Sequence, residues 1–451
     1  MSPVNAGRAL ARGGLAVLGG DSLVRNSVYI MATSLVTAAL GYVYWLVAAH
    51  LYPAEAIGLA AALLSGTALV SSLGGVGMSA ALIQYLPRRR AGAAWSVTLT
   101  AALAASTGLT AAGGVLLVTL VLPRLRSTFH EVASNPVFAA LVVAAIVLTT
   151  VSLVLDGAFV AERRSEGMLA RNTVFSLVKI PVLSVPVLFG LHDAHALFST
   201  WLVGLVAGAA AGFLLVSRLG RAYRLTLDGV LPELRVLRGA FLGHHLIALG
   251  GQLPMYVLPF LVVTRVSVTA NAYFYVSWMI GSLFFIASNA VASALFAEGS
   301  HDPDENQAQT WRALKVITLL VVPGMALMAA FGDTVLGLFG SEYAEHGTAL
   351  LLLLVASAVP DGITNVYVTR LRVQHKLGRA ATLNVGMAVV ALTLAWPLLG
   401  RMGIAGAGVA WLVAQMLGTL FVSVDARVGR ATIRSVVQAP LRRGPRPEEA
   451  R

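Results

Sequence analysis

The sequence contains apolar stretches of about 20 residues that recur along almost its whole length. Each is long enough to cross the roughly 30 Å hydrocarbon core of a bilayer as an α-helix. Of the 451 residues, 57% are hydrophobic and 12% are charged, whereas about a quarter of the residues of a soluble protein are charged. The chain is therefore predicted to be an all-α polytopic membrane protein.

Charged or turn-rich breaks separate about twelve predicted spans. They lie near 27–49, 55–85, 92–122, 137–161, 172–190, 196–217, 241–264, 270–297, 313–332, 347–368, 380–399 and 405–424. An even number of spans puts both termini on one side, and 27 of the 32 Lys and Arg residues fall in segments on that side, against four in the opposite loops. Because positively charged loops stay in the cytoplasm, we predict cytoplasmic N- and C-termini. This topology also accounts for the net charge of +12, so no nucleic-acid partner is expected.

A long basic segment divides the spans into two sets of six, which indicates an internal duplication. The fourth span of each half carries an aspartate followed by glycine, Asp156 and Asp361. We therefore predict two six-helix lobes around a central cleft. The predicted segments are a cytoplasmic N-terminal segment (1–24), an N-lobe (25–217), a cytoplasmic linker (218–240), a C-lobe (241–424) and a basic cytoplasmic tail (425–451).

Several functions are disfavoured by what the sequence lacks. It has no cysteine, which excludes disulfides and thiol chemistry. It has neither the phosphate-binding pattern GxxxxGK[ST] nor the zinc pattern HExxH, and the predicted outer loops are short. We expect a protein that is not an enzyme and that uses no cofactor and no metal site.

Three stretches resemble the polysaccharide-repeat-unit flippases of O-antigen and exopolysaccharide synthesis. Arg25–Arg90 has an asparagine opening the first helix, a proline and an acid before the second, a glycine-rich second helix and the exit LPRRR. Leu155–Asn172 (LDGAFVAERRSEGMLARN) is similar to that family's connection between the fourth and fifth helices, and Met402–Gln415 (MGIAGAGVAWLVAQ) to the start of its last helix. The same superfamily contains multidrug-extrusion antiporters and lipid II flippases.

The resemblance implies a transporter in a prokaryotic inner or plasma membrane. It would carry an oligosaccharide on an undecaprenyl-type pyrophosphate lipid from the cytoplasmic to the outer leaflet by alternating access, for cell-surface polysaccharide or lipopolysaccharide biosynthesis. Membrane lipids, a polysaccharide polymerase and glycosyltransferases are the implied partners. The alternatives are a proton- or sodium-coupled small-molecule exporter, a lipid II flippase, and a non-transporting subunit of a polysaccharide assembly complex.

Charged residues within membrane spans are costly and are functional candidates by default. Asp156, Lys179 and Asp361 are the three clear cases, and counting from the predicted span ends places all three in one layer towards the cytoplasm. Two readings stay open. Lys179 forms an ion pair with Asp156 between neighbouring helices, or it is a counter-charge for substrate phosphate, with the two aspartates tuning it or titrating as coupling acids.

The seventh span contains the strongest backbone breaks. Gly250, Gly251, Pro254 and Pro259 surround Gln252, and a membrane proline frees a carbonyl that must find a partner in protein or a wet cavity. We predict that this helix bends and lines the cleft, with the glycines and prolines as gating positions and Gln252 facing substrate.

Four further polar residues are candidates for contact with substrate. The asparagine amides suit sugar hydroxyls or, alternatively, hydrogen bonds between helices, and the arginine suits phosphate. They are Asn26, Asn289, Asn365 and Arg265.

Overall fold

The computed structural model describes residues 22–89, 92–125, 127–219, 223–299, 306–374 and 376–438, and this part of the chain contains helices and no strands. Twelve helices are long. They are α1 (Ser22–Leu51), α2 (Ala54–Tyr85), α3 (Ala93–Leu116), α4 (Pro136–Ala161), α5 (Ser165–Val182), α6 (Ala194–Ser217), α7 (Val230–Arg265), α8 (Val268–Gly299), α9 (Asn306–Gly337), α10 (Ser341–Val373), α11 (Leu377–Met402) and α12 (Ala405–Gln438).

Ten helices of the described part are long and apolar enough to cross a membrane. The prediction of an all-α polytopic membrane protein is confirmed. The helices α7 and α8 are not among these ten, so the count of twelve spans and the side of the termini stay predictions. The segments 1–21 and 439–451, which include most of the predicted N-terminal segment and half of the tail, lie outside the described residues.

Several helices extend beyond their predicted spans. Helix α5 begins at Ser165, seven residues before the predicted start at 172, and α7 begins at Val230, inside the predicted linker. An apolar stretch marks the part of a helix that lies in lipid, whereas Glu, Met, Leu, Ala and Arg continue the helix into water at little cost. The sequence EGMLAR after Ser165 has this composition.

The helix contacts repeat between the two halves of the chain. In the first half α1 packs on α5, α2 on α4, α4 on α6 and α5 on α6; in the second half α7 packs on α11, α8 on α10, α10 on α12 and α11 on α12. Each of these four contacts therefore recurs between the helices six places later in the chain. This pattern agrees with the predicted duplication into two six-helix lobes.

The two sets of helices meet mainly through α2, which packs against both α7 and α8. We call the end of the bundle at which α1 begins the inner end, and the opposite end the outer end. Near the middle of this interface a Cβ on Gly66 of α2 would lie 2.7 Å from the ring of Phe260 in α7. A glycine is needed here because the ring occupies the space of any side chain.

The sets of helices are in direct contact at the outer end. The buried side-chain amide of Asn271 in α8 donates a hydrogen bond of 2.7 Å to the backbone carbonyl of Gly58 in α2. A Cβ on Gly58 would overlap the carbonyl oxygen of Val268. The rings of Trp45 in α1 and Tyr275 in α8 lie 4.8 Å apart. The outer end is therefore closed in this structure.

We predict that Gly58→Ala opens the outer end, because its methyl group displaces the Val268 carbonyl and breaks the hydrogen bond from Asn271. The measurement is the labelling of a Thr67→Cys reporter, which lines the interior described below, by a membrane-impermeant thiol reagent added outside. We expect a several-fold increase. Gly41→Ala is the matched control, since nothing lies within 4 Å of its Cβ position. Equal labelling in the two variants would contradict the prediction.

Candidate functional site

A cavity of about 150 Å³ lies between the two sets of helices. Its walls come from α2, α4 and α6 on one side and from α7 and α8 on the other. Aromatic rings make up much of the wall, together with three serine and threonine hydroxyl groups, and no charged side chain is among the lining residues. The aromatic and hydroxyl residues are Trp201, Tyr256, Phe274, Tyr275, Trp278, Ser65, Thr67 and Thr149.

One of these hydroxyls, that of Thr67, is available to bind a ligand. Ser65 donates to the carbonyl of Ala61 in its own helix. The hydroxyl of Thr67 is buried and has no hydrogen-bond partner among the described residues. A buried unsatisfied hydroxyl is unfavourable in an apolar setting. Thr67 is thus ready to hydrogen-bond a polar group in the cavity.

Lys179 lies directly behind the cavity wall. Its side chain is 2% exposed, and its ammonium lies 3.6 Å from the ring centroid of Trp201, 4.4 Å from that of Phe175 and 4.7 Å from that of Tyr44. Aromatic faces attract cations, more strongly where water is excluded. The three rings form what we call the lysine cage. Trp201 belongs to both the cage and the cavity wall, so the ammonium contacts a residue that also lines the cavity.

The predicted ion pair between Asp156 and Lys179 is wrong. Asp156 instead accepts two hydrogen bonds of 2.8 Å from the guanidinium of Arg171, and the amide of Asn172 also donates to it. The reason is the early start of α5 at Ser165. Asp156 lies five residues before the end of α4 and Arg171 six residues after the start of α5, so the two lie at equal depth.

The predicted single layer of charges is also wrong. Lys179 lies fourteen residues from the start of α5, or about 21 Å along the helix axis. Its cage partner Tyr44 is near the outer end of α1, seven residues before Leu51. Lys179 therefore lies towards the outer end, whereas Asp156 lies close to the inner end.

Asp361 has the same place in α10 that Asp156 has in α4, since each is the twenty-first residue of its helix. Its surroundings differ. Asp361 is 7% exposed and accepts hydrogen bonds from Ser288 at 2.6 Å, Asn365 at 2.9 Å and Gln415 at 3.3 Å. Among the described residues no Lys or Arg lies within ion-pair distance of it. Two aspartates at equivalent positions thus have opposite electrostatic environments.

Two predicted asparagines make interhelical or local contacts. The side-chain oxygen of Asn26 accepts from the backbone N–H of Ser165 at 3.0 Å and so holds the start of α5 against α1. Asn365 belongs to the network around Asp361 and also donates to Ser288. The side chain of Asn289 lies outside the part of the structure whose side chains are described.

The other polar candidates lie along α7. Gln252 is exposed and accepts from the hydroxyl of Tyr256, which lines the cavity. The Arg265 guanidinium lies 4.4 Å from the ring centroid of Trp396 in α11 and donates to its carbonyl at 3.4 Å. Cation–π stacking thus fixes Arg265 at the outer end of the α7–α11 contact.

Helix α7 continues without interruption through Pro254 and Pro259. Pro259 lines the cavity. A Cβ on Gly250 would lie 2.9 Å from a methyl of Val385 in α11, so this glycine allows α7 and α11 to approach closely. The nearest atom to a Cβ on Gly251 would be the side-chain nitrogen of Asn384 at 3.4 Å. A gating role for these four residues stays a prediction.

The sequence analysis did not identify the residues that complete the Asp156 ion pair, the hydrogen-bond network of Asp361 and the lysine cage. The predicted fifth span begins at 172 and leaves Arg171 in a loop. The predicted spans contain Gln415 and the cage rings of Tyr44, Phe175 and Trp201 without marking them as candidates. A usable signal existed for Arg171, because residues equally distant from the turn of a helical hairpin face each other. For the cage the sequence offers no signal, since it joins three helices.

No family model matches the sequence, and no curated protein matches it. Solved structures do match. The lipid II flippase MurJ in an inward closed conformation superimposes with a TM-score of 0.71 at 13% identity, covering 89% of this chain and 87% of that one. An inward-facing multidrug resistance transporter of the MATE family in the MOP superfamily gives 0.67 at 16% identity, with 91% and 99% covered.

An outward-facing structure of a MATE family transporter gives a TM-score of 0.61 at 16% identity, with 92% of this chain and 96% of that chain covered. At these identities the matches show a shared fold. The chain therefore has the two-lobed fold of these transporters, and the narrower resemblance to polysaccharide flippases stays a prediction.

We predict that the Asp156–Arg171 pair is structural. The side chains of Arg171 and Asp156 are 4% and 15% exposed, respectively. Removing one partner of a buried pair leaves an uncompensated charge, so Arg171→Ala should lower the free energy of unfolding by about 3 kcal/mol. The measurement is denaturant unfolding in detergent micelles.

The matched control is Arg164→Ala, whose pair with Glu166 is 59% and 38% exposed and should contribute less than about 1 kcal/mol. The double variant Asp156→Leu with Arg171→Met should recover much of the lost stability. An Arg171→Ala protein as stable as the control would show that the pair has no structural role.

Proposed function

We propose that the protein carries a lipid-linked oligosaccharide, on an undecaprenyl-type pyrophosphate carrier, from the cytoplasmic to the outer leaflet by alternating access. The observation that carries the proposal is the pairing of an aromatic inter-lobe cavity with a buried ammonium, Lys179, behind one of its rings. The proposed role is in cell-surface polysaccharide biosynthesis, with the polymerase and glycosyltransferases as partners.

The chemistry of such a substrate matches the two parts of the site. A pyrophosphate-sugar headgroup does not enter hydrocarbon unaided, because unpaired charged and polar groups are costly there. A pyranose ring has faces that carry C–H groups and edges that carry hydroxyls. The rings of Trp201, Tyr256 and Trp278 suit the faces, the hydroxyl of Thr67 suits an edge, and Lys179 supplies the positive charge for phosphate.

The lipid tail requires a lateral opening, and helix α1 offers one. Its ring contact with α8, between Trp45 and Tyr275, lies towards the outer end. In the inner half of α1 the apolar side chains Met31 and Leu35 are exposed. A prenyl chain would stay in the bilayer beside this half of α1 while the headgroup occupies the cavity.

The closed outer end, with the predicted cytoplasmic termini, corresponds to an inward-facing state. The higher TM-score with the inward-facing MATE structure, 0.67, than with the outward-facing one, 0.61, supports this assignment. The match to MurJ, a lipid II flippase, supports a lipid-linked substrate. In this proposal the substrate loads from the cytoplasmic leaflet.

We predict that Lys179→Ala reduces transport strongly while Lys179→Arg largely retains it, because a guanidinium also binds phosphate and stacks on aromatic faces. The measurement is the lipid-linked glycan in a deletion strain that carries each variant, by mass spectrometry of extracted lipids with a membrane-impermeant reagent to report the leaflet. We expect intact repeat units trapped on the cytoplasmic side with Lys179→Ala.

The matched control is Lys315→Ala, because Lys315 is exposed at the inner end of α9. Membrane levels of each variant are measured in parallel. If Lys179→Ala and Lys179→Arg both vanish from the membrane, the cage is structural. If no glycan pool changes in the deletion strain itself, the flippase proposal fails.

A second candidate function is ion-coupled export of a small molecule, and Asp361 favours it. A buried carboxylate held by three neutral donors, with no cationic side chain within ion-pair distance in the described structure, suits a proton or sodium ion. The matches to multidrug resistance transporters support this candidate. The same acid would also serve as the coupling site of a flippase.

We predict that Asp361→Asn abolishes the dependence of transport on an ion gradient, because the amide carries no charge for a proton or sodium ion to neutralise. The measurement is transport in proteoliposomes with imposed proton or sodium gradients. Asp333→Asn, at an exposed acid near the outer end of α9, is the control and should behave as the unchanged protein. Undiminished gradient dependence in Asp361→Asn would remove Asp361 from the coupling site.

A further inference from the structure

The segment that joins the two halves of the chain exposes three leucines at the inner end of the bundle. Leu225, Leu227 and Leu231 are 76%, 75% and 74% exposed. They lie between the end of α6 at Ser217 and the first turn of α7. We call residues 223–237 the strap. Three exposed leucines so close together on a polar connection indicate a surface that something covers.

The strap is fixed to the inner ends of α2 and α3. The Tyr223 ring packs edge-on against Trp95 at 6.2 Å, and its hydroxyl lies 3.3 Å from that of Thr100. The backbone N–H of Arg224 donates to the hydroxyl of Ser96 at 3.2 Å. The leucines are therefore held in place on the outside of an anchored segment.

A second anchor lies at the start of α7. The carboxylate of Glu233 accepts hydrogen bonds of 2.7 Å from Arg89, four residues after the end of α2, and from Thr98 of α3. Buried Leu237 joins the core cluster of this region. The side of the strap that faces the protein is thus satisfied by polar and apolar contacts, which leaves the leucines to the outside.

The charges around the leucines favour a membrane surface as the covering. Arg218, Arg224 and Arg235 are exposed, against one exposed acid, Asp228. The strap begins six residues after the end of a helix long and apolar enough to cross a membrane, so we expect it to lie near the lipid headgroups. Basic residues beside membrane helices bind the anionic headgroups of the cytoplasmic leaflet, and leucines at that level enter the boundary between headgroups and acyl chains.

The composition argues against a protein partner. Protein interfaces concentrate their binding energy in Trp, Tyr and Arg, and leucine is under-represented among the residues that dominate it. In the strap the aromatic residue, Tyr223, packs inward on Trp95, and the exposed large apolar residues are the three leucines and Val236, all of them aliphatic. Aliphatic side chains with flanking arginines are typical of segments that lie on anionic bilayers.

We propose that the strap is a lipid-binding anchor, with Leu225, Leu227 and Leu231 inserted into the cytoplasmic leaflet and its arginines on anionic headgroups. It holds the start of α7 at a fixed depth beside α2 and α3.

The test uses the full-length protein in vesicles of phosphatidylethanolamine and phosphatidylglycerol. Because the chain has no cysteine, the variants Leu225→Cys, Leu227→Cys and Leu231→Cys each carry a single environment-sensitive fluorophore. A lipid with a nitroxide near its headgroup and aqueous iodide are the two quenchers. We expect several-fold stronger quenching by the lipid nitroxide than by iodide at all three positions.

Two reference positions calibrate the measurement. Asp228→Cys, at the exposed acid of the same segment, should show the reverse order. Leu319→Cys, 75% exposed in the membrane helix α9, should be shielded from iodide. Iodide quenching of the leucine positions equal to that of Asp228→Cys would overturn the proposal.

A second comparison separates lipid from protein as the covering. Replacing phosphatidylglycerol by phosphatidylcholine, or combining Arg224→Gln with Arg235→Gln, should reduce the lipid quenching severalfold. Shielding from iodide that appears in native membranes but not in vesicles of the purified protein would assign the surface to a protein partner and overturn the lipid anchor. None of these readouts depends on transport, so the lipid anchor is tested independently of the proposed function.

Discussion

A polar group inside a bilayer must find its partner within the protein, and this constraint governs the whole molecule. Backbone groups satisfy this constraint by forming the hydrogen bonds of helices, and polar side chains satisfy it by forming hydrogen bonds and ion pairs between helices. Arg171 binds Asp156 between α4 and α5, Asn26 binds the start of α5, and Asn271 binds the carbonyl of Gly58. Each of these bonds also sets the distance between two helices. The polar residues therefore position the apolar helices, which have little reason of their own to choose one neighbour over another in lipid.

The two halves of the chain repeat the same helix contacts but differ in the electrostatic environment of equivalent residues. Asp156 and Asp361 have equivalent places in α4 and α10, yet one is neutralised by Arg171 and the other is held by neutral donors. The first half holds its unpaired charge elsewhere, as the caged ammonium of Lys179. The described structure thus has a cation without a carboxylate in one half and a carboxylate without a cation in the other. Under the proposed function these would suit an anionic substrate and a cationic coupling partner, respectively.

The sequence was sufficient for the apolar helices, which follow from the length of the apolar stretches, and for the equivalence of Asp156 and Asp361, which follows from the Asp-Gly pair in the fourth span of each half. The sequence was insufficient for contacts that depend on how separate helices pack against one another. The partner of Asp156 depended on a helix start seven residues earlier than the apolar stretch suggested. The lysine cage needs α1, α5 and α6 together, and the closed outer end needs Gly58 beside Val268, 210 positions later in the chain. The sequence around a glycine in an apolar stretch does not indicate which backbone that glycine will contact.

The volume of the cavity bears on how the proposed substrate could enter the site. At about 150 Å³ it is smaller than the roughly 300 Å³ at which sites for drug-sized ligands begin, so an oligosaccharide headgroup requires the two sets of helices to move apart from this arrangement. The outer end is held by Asn271 and Gly58, which leaves movement to the inner half of α1, where Met31 and Leu35 are exposed. Helix α1 also supplies Tyr44 to the lysine cage. Displacement of α1 by an arriving substrate would therefore loosen the cage, and the ammonium of Lys179 would become available as the phosphate enters.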